Sequence, residues 1–171
     1  MANIIIFIEG PDDKTFFQNI IQPLINDHYH CIFYFEYANK NKTRVKNFIN
    51  SAKNNNTDYI YVSDIDNGNS IGEKKKKIVK KLSILVEDKI VVVVREIESW
   101  YLSGLDEKSS KRLKVKNLKD TNNMVKEQFD YLIPNKYTRV EFMLEIIKHF
   151  SLDTAKVKNS SFNYLCEQLS L

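Results

Sequence analysis

The sequence predicts an α/β protein: a Rossmann-like parallel sheet of about four strands flanked by helices, followed by a helical C-terminal extension. Three observations predict it. Short apolar runs alternate with segments of helical periodicity over the first ~105 residues, which implies right-handed crossovers and a parallel sheet. Suspicious carboxylates fall just after three of those runs, on the edge where ligands bind in such sheets. The composition, with 43% hydrophobic and 28% charged residues, is that of a globular chain.

Asn3 to Ile8 is a continuous apolar run rich in Ile and reads as a buried strand. It stops at Glu9-Gly10-Pro11-Asp12-Asp13. Gly10 permits a tight turn, Pro11 suits the first turn of a helix, and the two aspartates favour its positive end. The helix carries Phe16, Phe17, Ile20, Ile21, Leu24 and Ile25 on one face, and Pro23 is expected to end or kink it near Gln22. Residues 30–37 read as a second strand. A second helix follows, with Thr43 as its expected N-cap and Val45, Phe48, Ile49 and Ala52 at amphipathic spacing.

The third strand is Tyr59-Ile60-Tyr61-Val62-Ser63, and Asp64-Ile65-Asp66-Asn67-Gly68 follows it. Ser70 and Glu73 fit a capping box opening a third helix, with Ile71, Ile78, Leu82 and Leu85 expected inward. The lysines of that helix (Lys74 to Lys77, Lys80, Lys81) read as its solvated face, with phosphate binding as the alternative. Lys89 to Val94 is the most strand-like run of the chain. Beyond Gly104 the basic stretch 106–119 lacks clear periodicity. Helices are expected over 121–132, 138–149 and 161–169, with Val140, Met143, Leu144 and Ile147 inward in the second. The division expected is 1–105 for the α/β domain and 106–171 for a basic segment and helical extension packed on it.

The chain has 171 residues and a formal charge of +4, a mild excess that permits nucleic-acid binding without requiring it. Cys31 and Cys166 form no disulfide framework, no charged-then-apolar leader opens the chain, and no apolar run reaches the ~20 residues of a membrane helix. A soluble, cytoplasmic protein with no membrane association is expected. His28-x-His30-Cys31 lacks a partner pair for zinc. Asp64 to Lys75 fails the EF-hand pattern, because Asn69 stands where Gly belongs and Lys75 where Glu belongs.

Asp64 and Asp66 invite a different explanation. Aspartates are poor strand residues, and two ionised carboxylates so close repel each other. Capping of the following turn is one reason for them; a divalent cation is another. Mg²⁺ takes oxygen ligands and keeps several waters, so two or three carboxylates suffice. Glu9 follows the first strand, Asp64 and Asp66 the third, and Glu96 and Glu98 the fourth.

Glu9-Gly10-x-x-Asp13 after a first strand, with Asp64-x-Asp66 after a later one, resembles the Toprim domain over about residues 3–105. That fold is shared by topoisomerases, bacterial primases, OLD-family nucleases and small recombination proteins. Arg95-Glu96-Ile97-Glu98-Ser99-Trp100-Tyr101-Leu102 is similar to the Glu-Ser-Trp stretch of small uncharacterised Toprim-like proteins, and Ser160-Ser161-Phe162 is loosely similar to their C-terminal Ser-x-Ser-Phe feature. The resemblance implies that Glu9 acts as general acid/base or metal ligand, that Asp64 and Asp66 bind Mg²⁺ (or Mn²⁺), and that Glu98 adds an acidic ligand, with Glu96 as the alternative.

The chain carries neither a domain for a nucleophilic Tyr nor the Cys cluster of primases. The expected activity is therefore that of a metal-dependent nuclease or related phosphodiester-processing protein using metal-activated water, perhaps in a defence or mobile-element system. The rivals are a non-catalytic Toprim module that binds nucleic acid or a partner ATPase, and a phosphatase or phosphotransfer domain. Lys14, Lys111, Arg112, Lys114 and Lys116 are the candidate contacts to a nucleic-acid backbone.

Overall fold

In the computed structural model, which describes residues 2–65 and 70–171, strand β1 (Ala2–Ile8) has a neighbour on each side. It pairs in parallel with β2 (Tyr29–Glu36) and with β3 (Asp58–Asp64), setting Phe7 opposite Phe35 on one side and Tyr61 on the other. Strand β4 (Ile90–Val93) completes an all-parallel sheet in the order β2-β1-β3-β4. The chain leaves β1 for one side and then crosses back to β3 on the other. That reversal makes the carboxyl ends of β1 and β3 a topological switch point, where a crevice opens in sheets of this kind.

The chain divides into two compact units, Met1–Val92 and Val93–Leu171. In the first, α1 (Pro11–Phe16) runs through a π-helical turn (Phe17–Ile21) into α2 (Gln22–Ile25). Pro23 thus does not end the helix at Gln22. The wider turn just before it absorbs the mismatch that a missing N–H and a bulky ring would otherwise cause. Asn41, not Thr43, caps α3 (Lys42–Asn54), its side chain accepting from the Arg44 N–H at 2.9 Å. Ser70 and Glu73 do form the capping box of α4 (Ile71–Leu82).

Val45, Ile49 and Ala52 of α3 and Ile78 and Leu82 of α4 bury against Phe7, Phe35, Tyr59, Tyr61, Ile90 and Val92. Ile4, Ile6 and Ile8 alternate with Phe7 and so face the opposite side of the sheet, where a right-handed β1–β2 crossover puts α1 and α2. Phe48 and Ile71 are exposed, although their spacing suggested burial. Ile71 is the first residue of its helix, and Phe48 lies instead over Phe35 at 4.3 Å between ring centroids.

The second unit is helical: α5 (Glu98–Ser103), α6 (Glu107–Leu113), α7 (Lys126–Leu132), α8 (Arg139–Lys148), α9 (Leu152–Lys158) and α10 (Ser160–Gln168). The basic stretch that lacked periodicity contains α6, capped by Asp106, with Ser109, Ser110 and Leu113 inward. Small polar residues on its buried face hid its period. In α8 the inward face is Phe142, Met143 and Ile146, while Val140 and Leu144 are exposed.

A buried polar hub ties α5 to α10. Asn159, wholly buried, donates to Ser99 Oγ (3.3 Å) and Thr121 Oγ1 (3.1 Å) and accepts from Ser161 Oγ (2.8 Å) and the Phe162 N–H (3.0 Å). Ser161 Oγ accepts from Trp100 Nε1 (2.9 Å), and the Trp100 and Phe162 rings meet edge to face. The Glu-Ser-Trp and Ser-Ser-Phe stretches are therefore two halves of one packing unit.

Candidate functional site

Glu9 directly follows β1, and Ser63 and Asp64 end β3, so the parallel register brings them together at the switch point. Glu9 Oε1 accepts from Ser63 Oγ (3.0 Å), the Asp64 N–H (3.2 Å) and Tyr37 Oη (3.1 Å). Tyr37 follows β2, and its own N–H donates to the Ile8 carbonyl at 2.9 Å, which fixes that strand end beside β1. Three strand ends thus hold one carboxylate oxygen. The other, Oε2, takes no hydrogen bond among the described residues.

Tyr37 has one hydroxyl proton and two acceptors, the Val62 carbonyl at 2.7 Å and Glu9 Oε1. Its ring stacks on Tyr61, with centroids 4.5 Å apart. Burial, then the neighbouring Tyr61 and Glu9, raise the Tyr37 phenol well above its ordinary value. Burial, with Glu9 adding, pushes Tyr61 up to about 12. Both phenols stay protonated at neutral pH. They serve as hydrogen-bond donors and not as nucleophiles.

A cavity of about 250 Å³ opens beside Glu9, lined by Tyr37, Tyr61, Ser63 and, from α4, Lys74, Lys77 and Lys81. A second, of about 180 Å³, shares Glu9, Tyr37, Tyr61 and Lys81 and adds Lys40, Lys42 and Val45. The lysines of α4 are thus not one uniform solvated face. Lys74 is only 9% exposed and continues the inward stripe of Ile78 and Leu82.

Of the residues that the sequence singles out, Glu9 and Asp64 meet. Asp66 lies outside the described residues. Glu98 belongs to the second unit, is 4% exposed, and is ion-paired with Arg139, which also grips Asp130. Burial raises the Glu98 carboxyl above its ordinary value, against the lowering pull of Arg139. Glu96 accepts from the Lys126 N–H at the start of α7. Lys14 pairs with Glu36 at 3.0 Å and Lys111 with Glu107 at 2.7 Å, while Arg112, Lys114 and Lys116 are exposed on and just after α6.

Glu9 and Asp64 are hard oxygen donors on adjacent strands, a donor set that fits Mg²⁺ or Mn²⁺ with waters completing the shell. Among the described residues no group of three or more His, Cys, Asp or Glu side chains gathers to hold a metal. Tyr37 and Ser63, which orient Glu9, were not singled out from the sequence. Their partner lies 28 and 54 residues away, and only the parallel register brings it within reach. No model of a known protein family matches the chain, and no curated protein matches it.

Proposed function

We propose that the chain is a metal-dependent phosphodiester-processing protein, a nuclease of Toprim-like type, acting on nucleic acid at the β1–β3 switch point. The observation that carries this reading is the Glu9 carboxylate: one oxygen is fixed by donors from two neighbouring strands, and the other is left to face the cavity chemistry. Folding alone gives little reason to hold an acid in that way at the ligand-binding edge of a parallel sheet.

Glu9 and Asp64 would hold the Mg²⁺ or Mn²⁺, with Asp66 as the further ligand implied by the motif. Such an ion, when bound, lowers the pKa of a coordinated water and stabilises charge on a phosphoryl oxygen. The chain's own residues supply the rest. Ser63 and the Asp64 N–H keep the Glu9 carboxylate oriented, and Oε2 can take a proton from an attacking water. The Tyr37 proton is placed to satisfy Oε1 as the charge on Glu9 changes.

The test is cleavage of end-labelled single- and double-stranded DNA and RNA with Mg²⁺, Mn²⁺ or excess EDTA. Glu9→Gln, and Asp64→Asn with Asp66→Asn, should each lower the rate at least ~100-fold while leaving the melting temperature near wild type. Retained binding without cleavage in either metal would favour the non-catalytic module. Hydrolysis of small phosphoesters in preference to polynucleotides would favour a phosphatase.

A further inference from the structure

The two cavities beside Glu9 share residues and run into one another along the carboxyl edge of the sheet. Five lysines border them: Lys74, Lys77 and Lys81 from α4, and Lys40 and Lys42 at the start of α3. Carboxylate input to this lining is small, with Glu9 the one acid among the residues that line either cavity. Lys40, Lys42 and Lys81 make no ion pair among the described residues, whereas Lys14 and Lys111 each hold a carboxylate.

Position adds a second observation. Lys74 stands in the opening turns of α4, near the positive end of the helix, on a stripe that elsewhere carries Ile78 and Leu82. A cation there is disfavoured both by the helix dipole and by burial. Packing would be served better by an apolar residue.

We infer that these lysines form a groove for the phosphates of a single nucleic-acid strand, which passes Glu9 with Lys74, Lys77 and Lys81 on one side and Lys40 and Lys42 on the other. The inference rests on the phosphodiester reading of the Glu9 site and names where its substrate lies. Each cavity is too small for a duplex but takes a phosphate with its sugar. The basic residues on and after α6 are then not the primary backbone contacts.

The experiment is fluorescence-anisotropy titration of a labelled 12-nucleotide oligo(dT) in EDTA, across a salt series. Working without metal separates binding from cleavage, so loss of activity on its own does not bear on the groove. Lys77→Gln with Lys81→Gln, both exposed positions, should weaken binding at least ~10-fold. The double change should also reduce the slope of log K against log salt by ~1.4, at ~0.7 for each phosphate released. Lys111→Gln with Arg112→Gln should leave both quantities unchanged. Glu9→Gln should bind as tightly as wild type or tighter, because it removes the one negative charge in the lining, even where it abolishes cleavage.

Three results would overturn the groove. One is no oligonucleotide binding by the wild type at low salt. Another is equal binding by the Lys77/Lys81 variant with an unchanged melting temperature. The third is competition by a free nucleoside triphosphate as strong as that by oligo(dT), which would make the ligand a nucleotide instead of a strand. If the groove variant loses binding while Glu9→Gln still cleaves, the groove stands and the catalytic assignment falls.

Discussion

Replacing Arg139 with Met should destabilise the second unit strongly at neutral pH and much less in acid. Arg139 donates to both Glu98 and Asp130, and its guanidinium lies 5.1 Å from the centroid of the Phe129 ring. The Glu98 side chain is 6% exposed and that of Arg139 23%. Removing one partner of a buried pair leaves an uncompensated charge and costs about 3–5 kcal/mol. The partial exposure of Arg139 places this case at the lower end, about 3 kcal/mol, or a melting shift of about 6–12 °C for a chain of this size.

The pH dependence follows from the direction of the Glu98 shift. Burial already raises its folded carboxyl above the ordinary 4.5, against the pull of Arg139. The stability this group contributes is therefore fully present below about 4.5 and is lost as pH rises through the folded value. Without Arg139 the folded value rises further, so the penalty of the variant is largest at neutral pH and shrinks toward pH 4.5. Glu98→Gln in the Arg139→Met background should restore most of the loss. Urea titrations of the four proteins from pH 4.5 to 8 measure it. A penalty that does not vary with pH, or no recovery in the double variant, would refute the reasoning and return Glu98 to the list of free acidic residues.

Asn159→Ala should cost at least about 3 kcal/mol, since several buried donors and acceptors lose their partner at about 1–3 kcal/mol each. Ser161→Ala should shift the emission of Trp100, the one tryptophan, whose indole N–H it now accepts. Gly104→Ala puts a Cβ 2.2 Å from the Phe150 ring and should cost about 1–3 kcal/mol, with partial recovery when Phe150 is shortened to Leu. Burial pushes the Cys166 thiol up to about 11, so iodoacetamide should label half-buried Cys31 first in the native protein, as peptide mass spectrometry would report.

The alternation of β-branched runs with 3.6-residue periodicity is what made the sheet legible, and it holds for β1 to β4. Caps were legible where the signal was reciprocal, as at Ser70 and Glu73. At α3 two candidates stood two residues apart, and the side chain of Asn41 took the bond. The helices of the second unit were harder. They are six to ten residues long, and Val140 and Leu144 have inward-looking spacing yet lie exposed. Few turns give little period, and tertiary packing then decides which face is buried.

The site was legible in part for the same physical reason. Carboxylates after apolar strands stand out locally, and Glu9 and Asp64 do meet. What surrounds them is non-local. Tyr37 and Ser63 look like ordinary strand residues, and Lys74 looks like one more lysine in a run. Arg139 lies 41 residues from Glu98, with no local sign that it neutralises that acid.

The most direct measurement of the Glu9–Asp64 site is a crystal of the full chain soaked in Mn²⁺, with anomalous data collected for the ion. The expected result is a peak bridging Glu9 to Asp64 or Asp66, lost in a crystal of the Glu9→Gln, Asp64→Asn variant soaked in the same way. A Mn²⁺ peak that survives in the variant, or no peak at the β1–β3 edge while the ion binds elsewhere, would contradict it.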